Sequence, residues 1–183
     1  AGSYIIMAIM LNSNFEVKNV NPDHLKSLIQ ILIKMGSNLE ICEKSVKIFP
    51  SKKLKSTKVK TSPYPGFPTD LQAQLMALMS IVNGNSQIQE TVFENRFMHV
   101  PELNRLGAKI KLSKDKASII GGQKFKGAQV MASDLRASIS LVLAALSAEG
   151  QTVINRVYHL DRGYEKIEKH IGKLGLKIKR LKN

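Results

Sequence analysis

The chain has 183 residues, 43% of them hydrophobic, a composition typical of one globular domain with its own core, which excludes a disordered chain. No apolar run approaches the roughly 20 residues that a membrane-spanning helix needs, so we expect no membrane contact. The net charge of +14 favours anionic partners, but lysines spread along the whole chain carry most of it, and because interleaved aromatic rings for base stacking are lacking we expect no nucleic acid.

Three long apolar segments predict helices that are buried on nearly every face. They are SYIIMAIML (3–11), TDLQAQLMALMSIV (69–82) and SDLRASISLVLAAL (133–146). Each is followed by an alternating segment that predicts a strand, namely NFEVKNV (14–20), SQIQETV (86–92) and TVINRVY (152–158). Because helices that are apolar all round must be covered, we expect them in the centre of an α/β fold with sheets outside them.

A shorter amphipathic helix, a glycine and a further strand follow in each case. Gly36, Gly107 and Gly175 stand directly after these helices, where a left-handed residue commonly ends a helix. The segments EICEKSVKIF and IKLSKDKASII predict hairpins. The order helix–strand–helix–strand–strand therefore occurs three times in one lobe, over about 1–60, 61–126 and 127–183. Since the third unit stops after one strand, expected directly after Gly175, we expect the chain to be part of a larger protein.

Cysteine and histidine usage gives no indication of a metal site. Cys42 is the one cysteine, which excludes an internal disulfide and fits a reducing cytoplasm. Cys42 and the four histidines share no spacing typical of metal ligands, so we expect neither a metal nor a cofactor. Any chemistry would then rest on charged side chains in a cytoplasmic protein.

Asp70 follows a loop that three prolines stiffen, in PYPGFPTDLQAQ (63–74). Thr69 and Gln72 fit a capping box with Thr69 as the N-cap, and the positive end of a helix favours a carboxylate in its first turn. Capping is therefore one explanation of Asp70. The other is a general base, because the prolines fix more backbone than a cap requires.

Arginines stand at unfavourable positions in this lysine-rich chain. Arg136 lies in the first turn of the helix 133–146, where the helix dipole disfavours a cation, and it needs either Asp134 or an external anion to compensate. Arg162 is expected to begin the third short helix, and Arg96 lies in the corresponding loop of the second unit. Arginine binds carboxylate and phosphate with two donors at once, so the pattern predicts a site for a small anionic ligand.

Four segments resemble the enolpyruvyl transferase family, and within it the UDP-N-acetylglucosamine 1-carboxyvinyltransferases. They are PYPGFPTDLQAQ (63–74), ETVFENRFMHVPEL (90–103), GAQVMASDLRAS (127–138) and YHLDRGYE (158–165). The resemblance implies the second lobe of an inside-out α/β barrel with pseudo-threefold repeats of buried helices and outer sheets. It also implies transfer of the enolpyruvyl group of phosphoenolpyruvate to the 3′-hydroxyl of UDP-N-acetylglucosamine, with release of phosphate, at the first committed step of peptidoglycan precursor synthesis.

The resemblance assigns roles to three residues outside the arginines. Asp70 matches the aspartate that contacts the acceptor hydroxyl and acts as its general base. Val92 matches a position whose main chain contacts the nucleotide sugar. Asp134 matches an aspartate beside a catalytic lysine that the family carries on its first lobe.

The arginines receive substrate-binding roles from the same resemblance. Arg96, Arg136 and Arg162 match arginines that face the cleft, with Arg136 and Arg162 nearest phosphoenolpyruvate and counted with Asp70 as catalytic. The family's lysine and its mobile loop with a cysteine or aspartate acid belong to the first lobe, and Cys42 does not replace that cysteine. We therefore expect this lobe to be inactive alone and to need the N-terminal lobe as a partner.

Two other functions remain open at this point. The shikimate-pathway enolpyruvyl transferase shares the fold and the phosphoenolpyruvate chemistry, and the acceptor would separate the two. A basic nucleic-acid-binding module is the weaker alternative, and its mark would be binding that falls steeply with salt.

Overall fold

The computed structural model of the chain describes residues 1–181, which form six α-helices and nine β-strands. The helices are α1 (Gly2–Met10), α2 (Lys26–Lys34), α3 (Gln72–Ile81), α4 (Val100–Arg105), α5 (Leu135–Leu146) and α6 (Ile167–Lys173). The strands are β1 (Phe15–Lys18), β2 (Asn38–Cys42), β3 (Ser45–Phe49), β4 (Lys58–Lys60), β5 (Asn85–Gln89), β6 (Ile110–Ser113), β7 (Lys116–Ile120), β8 (Gln129–Met131) and β9 (Val153–Asn155). Short 3₁₀ helices cover Pro22–Leu25, Thr69–Leu71 and Val157–Arg162. Across the described range, no helix combines the length and the apolar character that crossing a membrane requires.

The three apolar helices α1, α3 and α5 form the centre of the molecule and pack on one another. Every residue of α3 from Gln72 to Ser80 is buried, as is every residue of α5 from Ala137 to Ala144. Helices with apolar residues on almost every side reach their lowest free energy only when other elements cover them. The predicted placement of these helices at the centre is confirmed.

Sheets cover the helices on the outside. The first sheet has the order β1-β3-β2 and the second the order β4-β5-β7-β6, so the hairpins β2–β3 and β6–β7 occupy equivalent positions beside β1 and β5. Val46 and Ile48 of β3 are fully buried, while the alternate residues Ser45, Lys47 and Phe49 are more exposed, as expected for a sheet with one face on a core. Both predicted hairpins are confirmed.

Two short strands escaped the sequence analysis. β4 pairs with β5 and β8 pairs with β9, in both cases parallel. Each has three residues, too few to give an alternating pattern, and each owes its strand conformation to the hydrogen bonds of its neighbour. The third sheet, β8-β9, has only two strands among the described residues.

The strand expected after Gly175 is wrong for the described residues up to 181, which have no regular structure. The equivalent strands β2 and β6 each pair with the strand that follows them, and residues 176–181 have no such partner within the described chain. The glycine itself fits the prediction, since Gly36, Gly107 and Gly175 have φ angles of 91°, 106° and 83°. A left-handed residue that ends a helix is a local feature, whereas a strand needs a neighbour.

Gly121 tests how closely the second sheet packs on α3. A Cβ at this position would overlap the carbonyl oxygen of Val82 and lie 2.7 Å from that of Gly84. We expect Gly121→Ala to lower the free energy of unfolding by about 3 kcal/mol, because the backbone would have to move apart. Gly172→Ala, in α6 with no atom within 4 Å of the new Cβ, should raise it by up to about 1 kcal/mol. Urea unfolding of both variants beside the wild type measures the difference, and equal stability would contradict this packing.

Candidate active site

The N-terminal ends of the three central helices meet at one end of the molecule. Gln74 Nε2 near the start of α3 donates to Ser3 Oγ of α1 at 3.3 Å, and Ser3 Oγ also shares a 2.6 Å hydrogen bond with the hydroxyl of Tyr164. Arg136 at the start of α5 pairs with Asp70, just before α3. Because helix N-termini carry partial positive charge and unpaired N–H groups, this end of the molecule favours anions.

Asp70, Arg96 and Arg136 form an ion cluster at this end. Arg136 places Nε and Nη2 each 2.5 Å from Asp70 Oδ1, and Arg96 Nη1 lies 3.6 Å from the same oxygen. Within residues 1–181, the hydrogen bonds and ion pairs of the Asp70 side chain all involve Oδ1. The Asp70 side chain is 64% exposed, so the carboxylate is accessible to an incoming ligand.

Arg96 is the most enclosed member of the cluster, at 21% exposed. Its guanidinium carbon lies 4.3 Å from the centre of the Phe93 ring, a cation–π contact that fixes the plane of the guanidinium. Arg96 Nη1 is buried without a hydrogen-bond partner among residues 1–181. A buried charged donor that has an ion pair with Asp70 but no hydrogen bond is suited to an anionic ligand.

Asp134 caps α5 rather than forming an ion pair with Arg136. Its Oδ1 accepts hydrogen bonds from the backbone N–H groups of Arg136 at 2.7 Å and Ala137 at 3.0 Å. This uses the carboxylate to compensate the helix end. The Arg136 side chain is therefore directed to Asp70, which answers the question that the sequence left open.

The predicted capping box of Thr69 and Gln72 is wrong. Thr69 lies in the 3₁₀ turn Thr69–Leu71, and its hydroxyl donates to Glu90 Oε2 at 2.8 Å instead of accepting from the helix backbone. Gln72 is buried, and its Nε2 has no partner among the described residues. The charge-assisted hydrogen bond to the Glu90 carboxylate orients the Thr69 side chain toward Glu90 and away from the N–H groups at the start of α3.

Glu90 is a buried residue that the sequence analysis missed. Its Oε1 accepts from Thr61 Oγ1 at 2.8 Å and from the backbone N–H groups of Val92 at 2.9 Å and Phe93 at 3.2 Å, while Oε2 accepts from Thr69. Glu90 is 4% exposed. It links the proline-rich loop to the loop after β5. In the sequence it stands in an alternating polar stretch, which gives no sign of burial.

Val92 and Arg162 are the remaining predicted site residues, and neither belongs to the ion cluster. Val92 is half-buried, and because its N–H donates to Glu90, its carbonyl oxygen is the backbone group left for a ligand. Arg162 does not begin a helix, since it ends the 3₁₀ helix Val157–Arg162 and α6 starts at Ile167. Arg162 is exposed and forms no ion pair within residues 1–181. The next residue, Gly163, packs on Leu135 at the start of α5, so the arginine borders the cluster without joining it.

His99 is a second buried polar residue that the sequence did not reveal. It is 2% exposed, and its Nε2 has no partner in the described part of the chain. Burial lowers the pKa of His99 to about 4, and the negative charge of Asp134 opposes that shift. His99 is therefore neutral at pH 7. No group of three or more His, Cys, Asp or Glu side chains within residues 1–181 is placed to hold a metal ion.

A protein-family model described as EPSP synthase (3-phosphoshikimate 1-carboxyvinyltransferase) matches residues 1–171. The chain belongs to the EPSP synthase family of enolpyruvyl transferases. The resemblance drawn from the four sequence segments is confirmed at this level. The matched residues include Asp70, Arg96 and Arg136, which the structure groups at the helix ends.

Three curated relatives of this chain have the same name. UDP-N-acetylglucosamine 1-carboxyvinyltransferase of Pelagibacter ubique is 54% identical over 99% of this chain and 43% of its own length. The proteins of the same name from Bartonella tribocorum and Helicobacter pylori (strain ATCC 700392 / 26695) are each 50% identical, over 99% and 100% of this chain. The chain spans about 43% of the length of these curated relatives.

Solved structures confirm the predicted fold class, an α/β lobe with central helices and outer sheets. The enolpyruvyl transferase NikO from Streptomyces tendae superposes with a TM-score of 0.90 at 27% identity, over 97% of this chain and 42% of that chain. EPSP synthase from Acinetobacter baumannii gives a TM-score of 0.79 at 18% identity, over 99% of this chain and 46% of that one. The second likeness concerns the fold alone.

The neutral state of His99 makes stability depend on pH. Between its usual pKa of 6.5 and about 4, the unfolded chain binds a proton that the folded chain does not. We therefore expect the free energy of unfolding to fall by roughly 3 kcal/mol more in the wild type than in His99→Gln as the pH decreases from 7 to 4. Urea unfolding across that pH range measures it. The exposed His24 supplies the control His24→Gln, which should keep the wild-type slope, and a wild-type slope in His99→Gln would contradict the assignment.

Proposed function

We propose that the full-length protein transfers the enolpyruvyl group of phosphoenolpyruvate to the 3′-hydroxyl of UDP-N-acetylglucosamine and releases phosphate. Relatives with the name of this activity are about 50% identical to the chain over nearly its whole length. The observation that carries the proposal on the structural side is the pairing of the exposed Asp70 with Arg136 and Arg96 at three helix N-termini. A base for a hydroxyl and charges for a phosphate lie side by side.

Asp70 is proposed as the general base. Arg136 holds Oδ1, so Oδ2 receives the proton of the acceptor hydroxyl as the hydroxyl oxygen bonds to C2 of phosphoenolpyruvate. In the same addition C3 of phosphoenolpyruvate takes up a proton from the acid that the family carries on its first lobe. The tetrahedral intermediate then returns one proton from C3 to that acid while the C2–O bond to phosphate breaks, which restores the double bond in the transferred group. The hydroxyl proton taken by Asp70 leaves with the phosphate.

The arginines are proposed to bind the negative charges of the substrates. Arg96 has a buried donor, Nη1, that has no hydrogen bond within residues 1–181. Arg162 is exposed beside the start of α5 without an ion pair in the described chain. Arg136 already lies in the cluster, where it would contact both Asp70 and phosphoenolpyruvate. Val92 would contact the nucleotide sugar through its carbonyl oxygen, and Asp134 would lie beside a lysine of the other lobe.

The partner that completes the site is proposed to be the N-terminal lobe of the same protein. The chain spans about 43% of its relatives' length. A groove of about 990 Å³ lies between α5, residues 150–161 and residues 177–181. The free edge of β9, whose counterpart β5 pairs with β7, borders this groove, and it would accept a strand from outside the chain. The proposal divides the present lobe into three repeats, 1–60, 61–126 and 127–183.

The biological setting follows from the acceptor. An enzyme that makes enolpyruvyl-UDP-N-acetylglucosamine serves peptidoglycan precursor synthesis, and through it cell-wall formation, cell shape and division. We propose a cytoplasmic location, since both substrates are soluble metabolites and the chain has a single cysteine.

The choice of acceptor is tested by phosphate release from phosphoenolpyruvate with the full-length protein. We expect release that depends on UDP-N-acetylglucosamine and not on shikimate 3-phosphate. Release with shikimate 3-phosphate alone would identify the sister enzyme, which shares the family model. Release with neither acceptor would contradict the proposal and leave the basic nucleic-acid-binding module to be tested by salt-dependent binding.

The site is tested in the same assay with single substitutions. Asp70→Ala, Arg136→Ala and Arg162→Ala should each lower kcat/KM by at least about 100-fold, because each removes a group that acts on the transition state. Arg105→Ala is the matched control, since Arg105 is 62% exposed and its one ion pair within residues 1–181 is with Glu102 in the same helix. Activity of the three variants within about threefold of the control would contradict these roles.

The dependence on the second lobe is tested with the isolated chain. We expect no phosphate release above background, because the family's lysine and acid loop lie outside residues 1–183. Adding the separately expressed N-terminal lobe should restore release. Phosphate release well above background by the isolated chain would contradict the expectation.

A further inference from the structure

We propose that Glu90 is a positioning residue that holds the base Asp70 and the ligand-binding backbone at Val92 in register with each other. The proposal rests on the proposed function, because it assigns Glu90 a role in that reaction. Glu90 lies outside the ion cluster, and it contacts Val92 through the N–H group, not through the carbonyl oxygen that is proposed to bind the nucleotide sugar. It acts through the two loops that it joins.

The evidence is the distribution of four donors over the two oxygens of one buried carboxylate. Oε2 accepts from Thr69, the residue directly before Asp70, at 2.8 Å. Oε1 accepts from Val92 N–H at 2.9 Å and from Phe93 N–H at 3.2 Å, at the start of the loop that carries Arg96. One carboxylate therefore fixes the backbone on both sides of the cluster.

Thr61 strengthens the same connection from the end of β4. Its hydroxyl donates to Glu90 Oε1 at 2.8 Å and accepts from the backbone N–H of Thr91 at 2.9 Å. Thr91 Oγ1 in turn donates to the Thr61 carbonyl oxygen at 2.6 Å. The parallel pairing of β4 with β5 is thus continued past the strand ends into both loops.

A buried carboxylate is costly unless several donors compensate it, so its presence here needs a reason. Two of the four donors are backbone N–H groups, which cannot become acceptors, whereas the hydroxyls can rotate. An acceptor-only group is therefore suited to Oε1, and a glutamine would retain that contact through its own oxygen. At Oε2 a glutamine would place an NH₂ group against the Thr69 hydroxyl, which can rotate and accept from it, so that a neutral hydrogen bond replaces the stronger charge-assisted one beside Asp70.

The experiment compares Thr69→Ala, Thr69→Ser, Glu90→Gln and the double variant Thr69→Ala/Glu90→Gln in the full-length protein. Calorimetric titration with UDP-N-acetylglucosamine gives the fraction of binding-competent protein, and kcat is divided by that fraction. We expect Thr69→Ala and Glu90→Gln each to lower kcat roughly tenfold with KM for the nucleotide sugar within about twofold, because a misplaced base affects the chemical step more than binding. Thr69→Ser should keep the wild-type kcat.

The double variant should be no more than about twofold slower than the slower single variant, since both substitutions act on the same contact between Thr69 and Glu90. Glu94→Gln is the control, because Glu94 is an exposed glutamate in the same loop, and its kcat should equal that of the wild type. Single-variant kcat values within about twofold of the wild type, or losses that multiply in the double variant, would overturn the proposal.

Hydrogen exchange separates this proposal from the proposed function. The Leu71 amide donates to the Pro68 carbonyl oxygen at 3.1 Å in the turn that Thr69 anchors. It should exchange roughly tenfold faster in Thr69→Ala than in the wild type or Glu94→Gln. Faster exchange in Thr69→Ala, combined with a wild-type protein that releases no phosphate, would support the anchor and refute the reaction. Unchanged exchange would overturn the anchor.

Discussion

The parallel burial of α1, α3 and α5 is the constraint on which the rest of the structure depends. The faces of these helices are apolar almost all round, so the sheets must lie outside them. The N-terminal ends of the helices meet at one place, where Ser3 contacts Gln74 and Arg136 contacts Asp70. Three positive helix ends close together would repel one another unless negative charge is supplied. A fold of this kind therefore creates an anion-binding end before any substrate-specific residue is considered.

The charged residues at this end divide the work between structure and chemistry. Asp134 compensates its own helix through backbone hydrogen bonds, which leaves the Arg136 side chain free to hold Asp70. Arg136 and Arg96 both approach Oδ1 of Asp70, whose side chain stays 64% exposed. Pairs of this exposure add little to stability. Their consequence lies in orientation, and Glu90 adds to it by fixing the backbone beside Asp70.

The sequence predicted the features whose cause is local. Long apolar runs gave the central helices, glycines after amphipathic runs gave the helix ends, and arginine in a first turn marked Arg136 as unusual. Features that depend on distant partners could not be predicted. The sequence around Thr69 fitted a capping box, but in the structure its hydroxyl donates to the buried carboxylate of Glu90. The strand expected after Gly175 had a suitable pattern but no neighbour in the described chain. His99 lies in a turn without helical or strand periodicity, so its burial could not be predicted from spacing.

The central claim is that Asp70 receives the proton of the acceptor hydroxyl at Oδ2 while Arg136 keeps Oδ1. The most direct measurement is a crystal structure of the full-length protein with bound UDP-N-acetylglucosamine. The account predicts the sugar 3′-oxygen at about 2.6–3.2 Å from Oδ2, with the guanidinium of Arg136 still on Oδ1. A 3′-hydroxyl directed away from Asp70, with a different side chain as its nearest acceptor, would contradict it.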